Sequence, residues 1–184
     1  MSGPQCCSNP PTLNPNSGAG HFERVGGLDS YVIGSLDSKR AVLLVSDIFG
    51  YEAPNLRKLA DKIAAAGFYV VVPDFFNADV YVPENTARPI MEWLKDHGAD
   101  KGFEDAKPGS IQAAALLHPS FVTVDDIKEV KTPIQVLGAE IDHISPPALV
   151  KQFEEVDSYV KIFPNVTHGW TVRYKDDDEA EHVK

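Results

Sequence analysis

Cysteine is scarce in this chain: 184 residues hold two, and these are neighbours, Cys6 and Cys7. Adjacent residues rarely reach disulfide geometry, and two thiols do not complete a structural zinc site. The chain therefore has to stabilise itself through a packed core. Positive charge is also short, with 17 Lys and Arg against 27 Asp and Glu and a formal net charge of -10. An acidic surface repels phosphate, which argues against nucleic acid as a partner. No apolar run reaches the roughly 18 residues that a membrane-spanning helix needs. The opening MSGPQCCSNPPTLNPNSGAG has neither the basic start nor the apolar stretch of a secretory signal. A cytoplasmic protein is the expectation, and the sequon at Asn165-Val166-Thr167 then has no glycosylation to serve.

What is present fits one globular domain. Apolar residues make up 43% of the chain and charged residues 24%, ordinary proportions for a chain with a core. Residues 1–20 read as a flexible polar leader, 21–174 as the folded domain and 175–184 as a loose acidic tail. Residues 30–33 form a short strand. The continuous apolar run AVLLVSDIFG, residues 41–50, predicts a strand buried on both faces of a parallel sheet. Leu56, Leu59, Ile63 and Ala66 recur at helical spacing, Gly67 stops that helix, and residues 69–74 form the next strand. A strand, a helix and a strand joined by short loops predict a doubly wound α/β fold. Further along, the pattern predicts a helix over 85–98 and strands over 111–120 and 133–142. A helix capped by Ser145 follows over 145–156, and a last strand over 158–164.

In an open parallel sheet, functional groups gather at the carboxyl ends of strands. Asp47, His118, Asp142-His143 and His168 all stand at such ends. An Asp after one strand, then a helix, a strand and a His is the order in which the acid and base of an α/β-hydrolase triad follow one another. His118, before Pro119, reads as a structural histidine. A metal centre built from Asp47, Asp142, His143 and His168 lacks any tight spacing such as H-x-x-x-H, so neither a metal nor another cofactor is expected.

Three blocks carry a resemblance: SDIFGYEAPNLRKLADKIAAAGFYVVVPDFF, GAEIDHISPP and IFPNVTHGWTVR. With the Cys-Cys leader, they resemble the dienelactone hydrolase family in its plant and fungal form. The resemblance implies a three-layer α/β-hydrolase sheet, mostly parallel, and a Cys–His–Asp triad acting on a small-molecule ester or lactone. Asp142 would be the triad acid and His168 the base. Asp47 would take the place of a Glu that touches the resting nucleophile, and Ile48 would give a backbone N–H to the oxyanion hole. Phe49, Trp170 and Arg173 would complete the pocket.

One part of that pattern is missing. The family's nucleophile sits in a Gly-x-Cys-x-Gly elbow between a central strand and a helix. No Gly-x-Cys-x-Gly or Gly-x-Ser-x-Gly occurs here, and Gly109-Ser110 alone joins Pro108 to Ile111, where that segment belongs. The expectation is a sheet without its central elbow strand and helix, and a chain inactive for want of a nucleophile. Ser110 stands in a Gly-Ser linker that nothing in the sequence forces into a strained, exposed turn, and Cys6 or Cys7 would need the leader to fold back over the site to serve as substitutes. The alternative is a non-catalytic binding remnant or a truncated isoform of the family. A glycosidase is not supported, because no pair of carboxylates can be set across a sugar cleft. Nothing in the sequence sets the oligomeric state.

Overall fold

The structure, a computed structural model, describes residues 9–97, 111–156 and 158–174. It divides into two compact units, Pro10–Ala106 and Lys107–Lys184 with Met1–Asn9. Residues 1–8, the acidic tail and Ser110, with Cys6 and Cys7, lie outside the described residues.

In the unit Pro10–Ala106, strands β1 (His21–Val25) and β2 (Leu28–Ile33) make a hairpin. Gly26 and Gly27 turn it with φ of 61° and 91°, the pair of positive values that a tight two-residue hairpin turn requires. Strand β3 (Ala41–Leu43), helix α1 (Pro54–Ala65) and strand β4 (Tyr69–Pro73) follow, then helix α2 (Ile90–Asp96). The sheet runs β1-β2-β4-β3, with β3 and β4 parallel and the other pairs antiparallel. Val32, Val70 and Val72 are fully buried, and α1 lays Leu56 and Ala60 into the interior. Arg57, on the same helix, is also fully buried. It donates to the carbonyls of Pro15 and Tyr51 at 2.7 and 2.9 Å, among the rings of Phe22, Tyr31 and Tyr51.

The run at 41–50 is not the strand expected of it. Only Ala41–Leu43 pairs as strand, and Leu43 and Val45 stay 46% and 60% exposed. The cause is position: among the described residues, β3 ends its sheet and has β4 on one side only. The helix expected over 85–98 starts at Ile90, because Pro89 holds extended backbone just before it.

The second unit contains a three-stranded parallel sheet, β5 (Ala114–Leu117), β6 (Ile134–Ile141) and β7 (Ser158–Thr167), in that spatial order. Helix α3 (Val124–Glu129) connects β5 to β6. Helix α4 (Pro147–Val150) and a 3-10 turn (Lys151–Glu155) connect β6 to β7. Ile127, Ile134, Val136, Val150 and Phe153 form the core under the sheet. Thr123 caps α3 in a reciprocal box with Asp126, a helix start that the apolar pattern does not reveal. Ser145 is not the cap expected for the next helix. Its hydroxyl donates instead to the Pro119 carbonyl at 2.5 Å, and the helix starts two residues later behind Pro146. Among the described residues, no helix is long and apolar enough to cross a membrane.

Both units combine strands with helices, and the fold is α/β. β5, at the start of the second sheet, is an edge strand as β3 is in the first. The three parallel strands of the second unit all end on the same side of their sheet, and each releases a polar residue there.

Candidate active site

Asp142 comes one residue after β6, beyond a register shift between Ala139 and Ile141. Its carboxylate turns back on its own loop: Oδ1 accepts the N–H groups of Ile144 and Ser145 at 2.8 and 3.0 Å. The second oxygen is thereby aimed outward, and Oδ2 meets Nδ1 of His168 at 2.8 Å. His168 itself comes one residue after β7. The two side chains are 0% and 4% exposed.

Burial would raise the Asp142 carboxyl, but the bonds from His168, Ser145 and Ile144 outweigh it and hold the group below the usual carboxylate range. An ionised Asp142 accepts the proton of Nδ1, so the other ring nitrogen, Nε2, carries the free lone pair. That nitrogen faces the hydroxyl of Ser120 at 3.2 Å. Ser120 is half-buried, on the turn between β5 and α3.

A second histidine packs edge-on against the first, with 5.2 Å between the rings of His118 and His168. Nε2 of His118 lies 2.6 Å from the Thr171 hydroxyl. Burial pushes the His118 imidazole down to about 3, with repulsion from His168 and Arg173 adding to the effect. It is therefore a neutral wall beside His168. Gly169, at φ 87°, sits so close to the Arg173 guanidinium that any β-carbon would collide with it.

Of the residues expected at the site, Asp142 and His168 come together within the bonding range that the triad pattern requires. Trp170 is buried against Ala139 and Val166, its ring 4.6 Å from that of Phe163. Arg173 is buried, and its N–H donates to the Gly169 carbonyl at 2.9 Å. Asp47, Ile48 and Phe49 belong to the other unit, on the turn after β3. There Asp47 Oδ1 accepts the Phe49 N–H at 3.0 Å, the Ile48 carbonyl accepts the Tyr81 N–H at 2.9 Å, and Phe49 packs against Tyr81. The residue that sequence reasoning passed over is Ser120. A serine between a strand and a helix, ahead of the Asp and the His in the chain, is too weak a signal to single it out without an elbow motif.

Comparison with known proteins identifies the family and the fold. The dienelactone hydrolase family profile matches residues 28–107 and 97–184. An Endo-1,3;1,4-beta-D-glucanase from Zea mays is 39% identical over 188 residues, covering 83% of this chain and 61% of that protein. The chain thus spans less than two thirds of that relative's length. A carboxymethylenebutenolidase homolog from Xenopus tropicalis is 27% identical, over 77% of this chain and 74% of its own. Among solved structures, a putative dienelactone hydrolase from Klebsiella pneumoniae matches with a TM-score of 0.59 at 15% identity, covering 84% of this chain and 88% of that one. At that identity the likeness concerns the fold, which is that of the α/β hydrolases.

Proposed function

This chain belongs to the dienelactone hydrolase family, a family of hydrolases, and from that premise we propose that it cleaves small carboxylic esters or lactones, with His168 as general base and Asp142 as the acid that orients it. The observation that carries the reading is the 2.8 Å contact between Asp142 Oδ2 and His168 Nδ1, buried on both sides. A carboxylate in that place fixes the imidazole tautomer and stabilises the imidazolium that forms when Nε2 takes a proton. A base so placed contributes about 100- to 10,000-fold to a hydrolytic rate.

The name of the maize relative invites a glucanase reading, which the site does not support. Glycosidases set two carboxylates across the bond they cut, whereas the Asp142 carboxylate is spent on His168, Ile144 and Ser145. The missing Gly-x-Cys-x-Gly elbow favours a second reading, a non-catalytic remnant that keeps the pocket. One alignment, with a hydrolase of Aspergillus violaceofuscus, runs over 210 residues, more than this chain's 184, so it carries gaps on this chain's side.

A substrate survey separates these readings. The full chain is incubated with short-chain nitrophenyl esters, small lactones and mixed-linkage glucan. The expected products are carboxylic acids from the esters or lactones, with no reducing ends from the glucan. Glucan cleavage would replace the ester reading, and binding of an ester without turnover would favour the remnant.

A further inference from the structure

We propose that Ser120 is the nucleophile of this chain, replacing the elbow cysteine that its sequence lacks. The inference rests on the reading of Asp142 and His168 given above and adds the group they would activate.

Four observations converge on it. The first is geometric. Asp142 fixes the Nδ1 side of His168, and Ser120 Oγ lies 3.2 Å from the opposite nitrogen, Nε2. That is the reach expected of a nucleophile and its base in a site without ligand. The second is topological. Ser120, Asp142 and His168 follow the three parallel strands β5, β6 and β7, and the chain order Ser, Asp, His is that of α/β-hydrolase triads. The serine also stands on a strand-to-helix turn, as an elbow nucleophile does, although its turn is longer.

The third is strain. Two non-glycine residues of this turn, His118 and Phe121, hold φ of 39° and 59°. Such conformations cost about 1–3 kcal/mol each and gather at functional sites. The turn is also clamped, since Ser145 in the Asp142 loop donates its hydroxyl to the Pro119 carbonyl next to Ser120. The fourth is access. The acid and base are enclosed, while Ser120 is half-buried and Phe121 is 60% exposed, so a carbonyl can reach the serine from solvent. Among the described residues, the N–H groups of Ser120 and Phe121 donate to no acceptor. They are the donors nearest to hand for a developing oxyanion.

The chemistry closes on these groups and water. Ser120 Oγ attacks the ester carbonyl carbon as its proton passes to His168 Nε2. The tetrahedral adduct collapses, the carbon–alkoxide bond breaks, and the leaving alcohol takes the proton from His168. Water then attacks the acyl-serine and gives its proton to Nε2. The Oγ–carbonyl bond breaks, Oγ recovers a proton, and the carboxylic acid leaves. Small or activated esters and strained lactones are the matching substrates, because nothing else in the chain is assigned to assist the leaving group.

The test uses the full chain and two readouts. A fluorophosphonate probe is added and the labelled residue located by peptide mass mapping. In parallel, nitrophenyl acetate hydrolysis is followed for the wild type, Ser120→Ala and His168→Ala, after circular dichroism has checked that the variants keep the wild-type fold. The expected result is a single phosphonyl adduct on Ser120, absent in Ser120→Ala and strongly slowed in His168→Ala, with a loss of about 100-fold or more in rate for Ser120→Ala. Should His168→Ala lose the rate while Ser120→Ala keeps it, the serine assignment fails and the base reading stands, with water attacking directly. An adduct elsewhere, or rate loss in Ser120→Ala without an adduct on Ser120, also overturns the assignment. No hydrolysis above background by the wild type, or a rate indifferent to both substitutions, overturns the assignment and the base reading together.

Discussion

His118 should make this protein sensitive to mild acid, and the size of the effect follows from its burial. The imidazole is 8% exposed, and its proton affinity is pushed down to about 3. In the unfolded chain the same group titrates at its ordinary value of about 6.5. Between these values the unfolded state binds a proton that the folded state refuses, so stability rises with pH across this window and falls as pH drops. Going from about pH 7 to pH 4, this one group should remove about 3 kcal/mol, at about 1.4 kcal/mol per pH unit below 6.5. Asp142 works in the same direction, because its lowered carboxyl contributes stability that is lost as pH falls through its folded value. The substitution His118→Gln isolates the histidine: it keeps an amide to meet the Thr171 hydroxyl and removes the titration. Urea unfolding of wild type and variant at pH 7 and pH 4 reads the difference. The wild type should lose about 3 kcal/mol more than His118→Gln over that interval. Equal losses would refute the reasoning, since they would mean that His118 protonates freely in the folded protein.

Other perturbations follow from particular contacts. Asp142→Asn keeps the shape of the side chain but gives His168 no anion to orient it, so any ester turnover should fall by about 100- to 10,000-fold in kcat, read by steady-state kinetics. Arg57→Met removes the guanidinium that ties the carbonyls of Pro15 and Tyr51 to α1 and should cost about 2 kcal/mol or more in denaturant unfolding. Gly34→Ala would put a β-carbon 2.3 Å from the Phe68 carbonyl at φ 104°, and should lower stability by about 2 kcal/mol in the same assay. Leu43 and Val45 leave apolar surface open at and just beyond the edge strand β3, so the chain should bind a hydrophobic dye, and Val45→Lys should reduce the signal.

How much of this was legible in the sequence depended on how local each cause is. The β3–α1–β4 unit follows from continuous apolar runs and a helical stripe, all set by residues near one another. Asp142 and His168 were legible because each stands just past a strand that such a run predicts. Ser120 was not: its partner Nε2 comes from 48 residues further along, and only the parallel pairing of β5, β6 and β7 brings the two together. Without a Gly-x-Ser-x-Gly frame, His118-Pro119-Ser120 reads as nothing more than the end of a strand. Strand β1 escaped notice because every residue from His21 to Arg24 is exposed and no apolar face marks it, although Gly26-Gly27 advertised the hairpin. The run at 41–50 misled in the other direction. Its residues suit a doubly buried strand, but burial is decided by neighbours, and among the described residues β3 has β4 on one side only. Ser145 has the composition of a helix cap, yet the Pro119 carbonyl, distant in the chain, claims its hydroxyl.

The central claim is that the Asp142–His168 pair acts as a catalytic base, and the most direct measurement is the rate of nitrophenyl acetate hydrolysis by the full chain and by His168→Ala. The wild type should exceed the variant by about 100-fold or more at neutral pH, with circular dichroism unchanged between the two. Identical rates, or a wild type no faster than buffer, would contradict the account and leave the 2.8 Å pair as a structural contact.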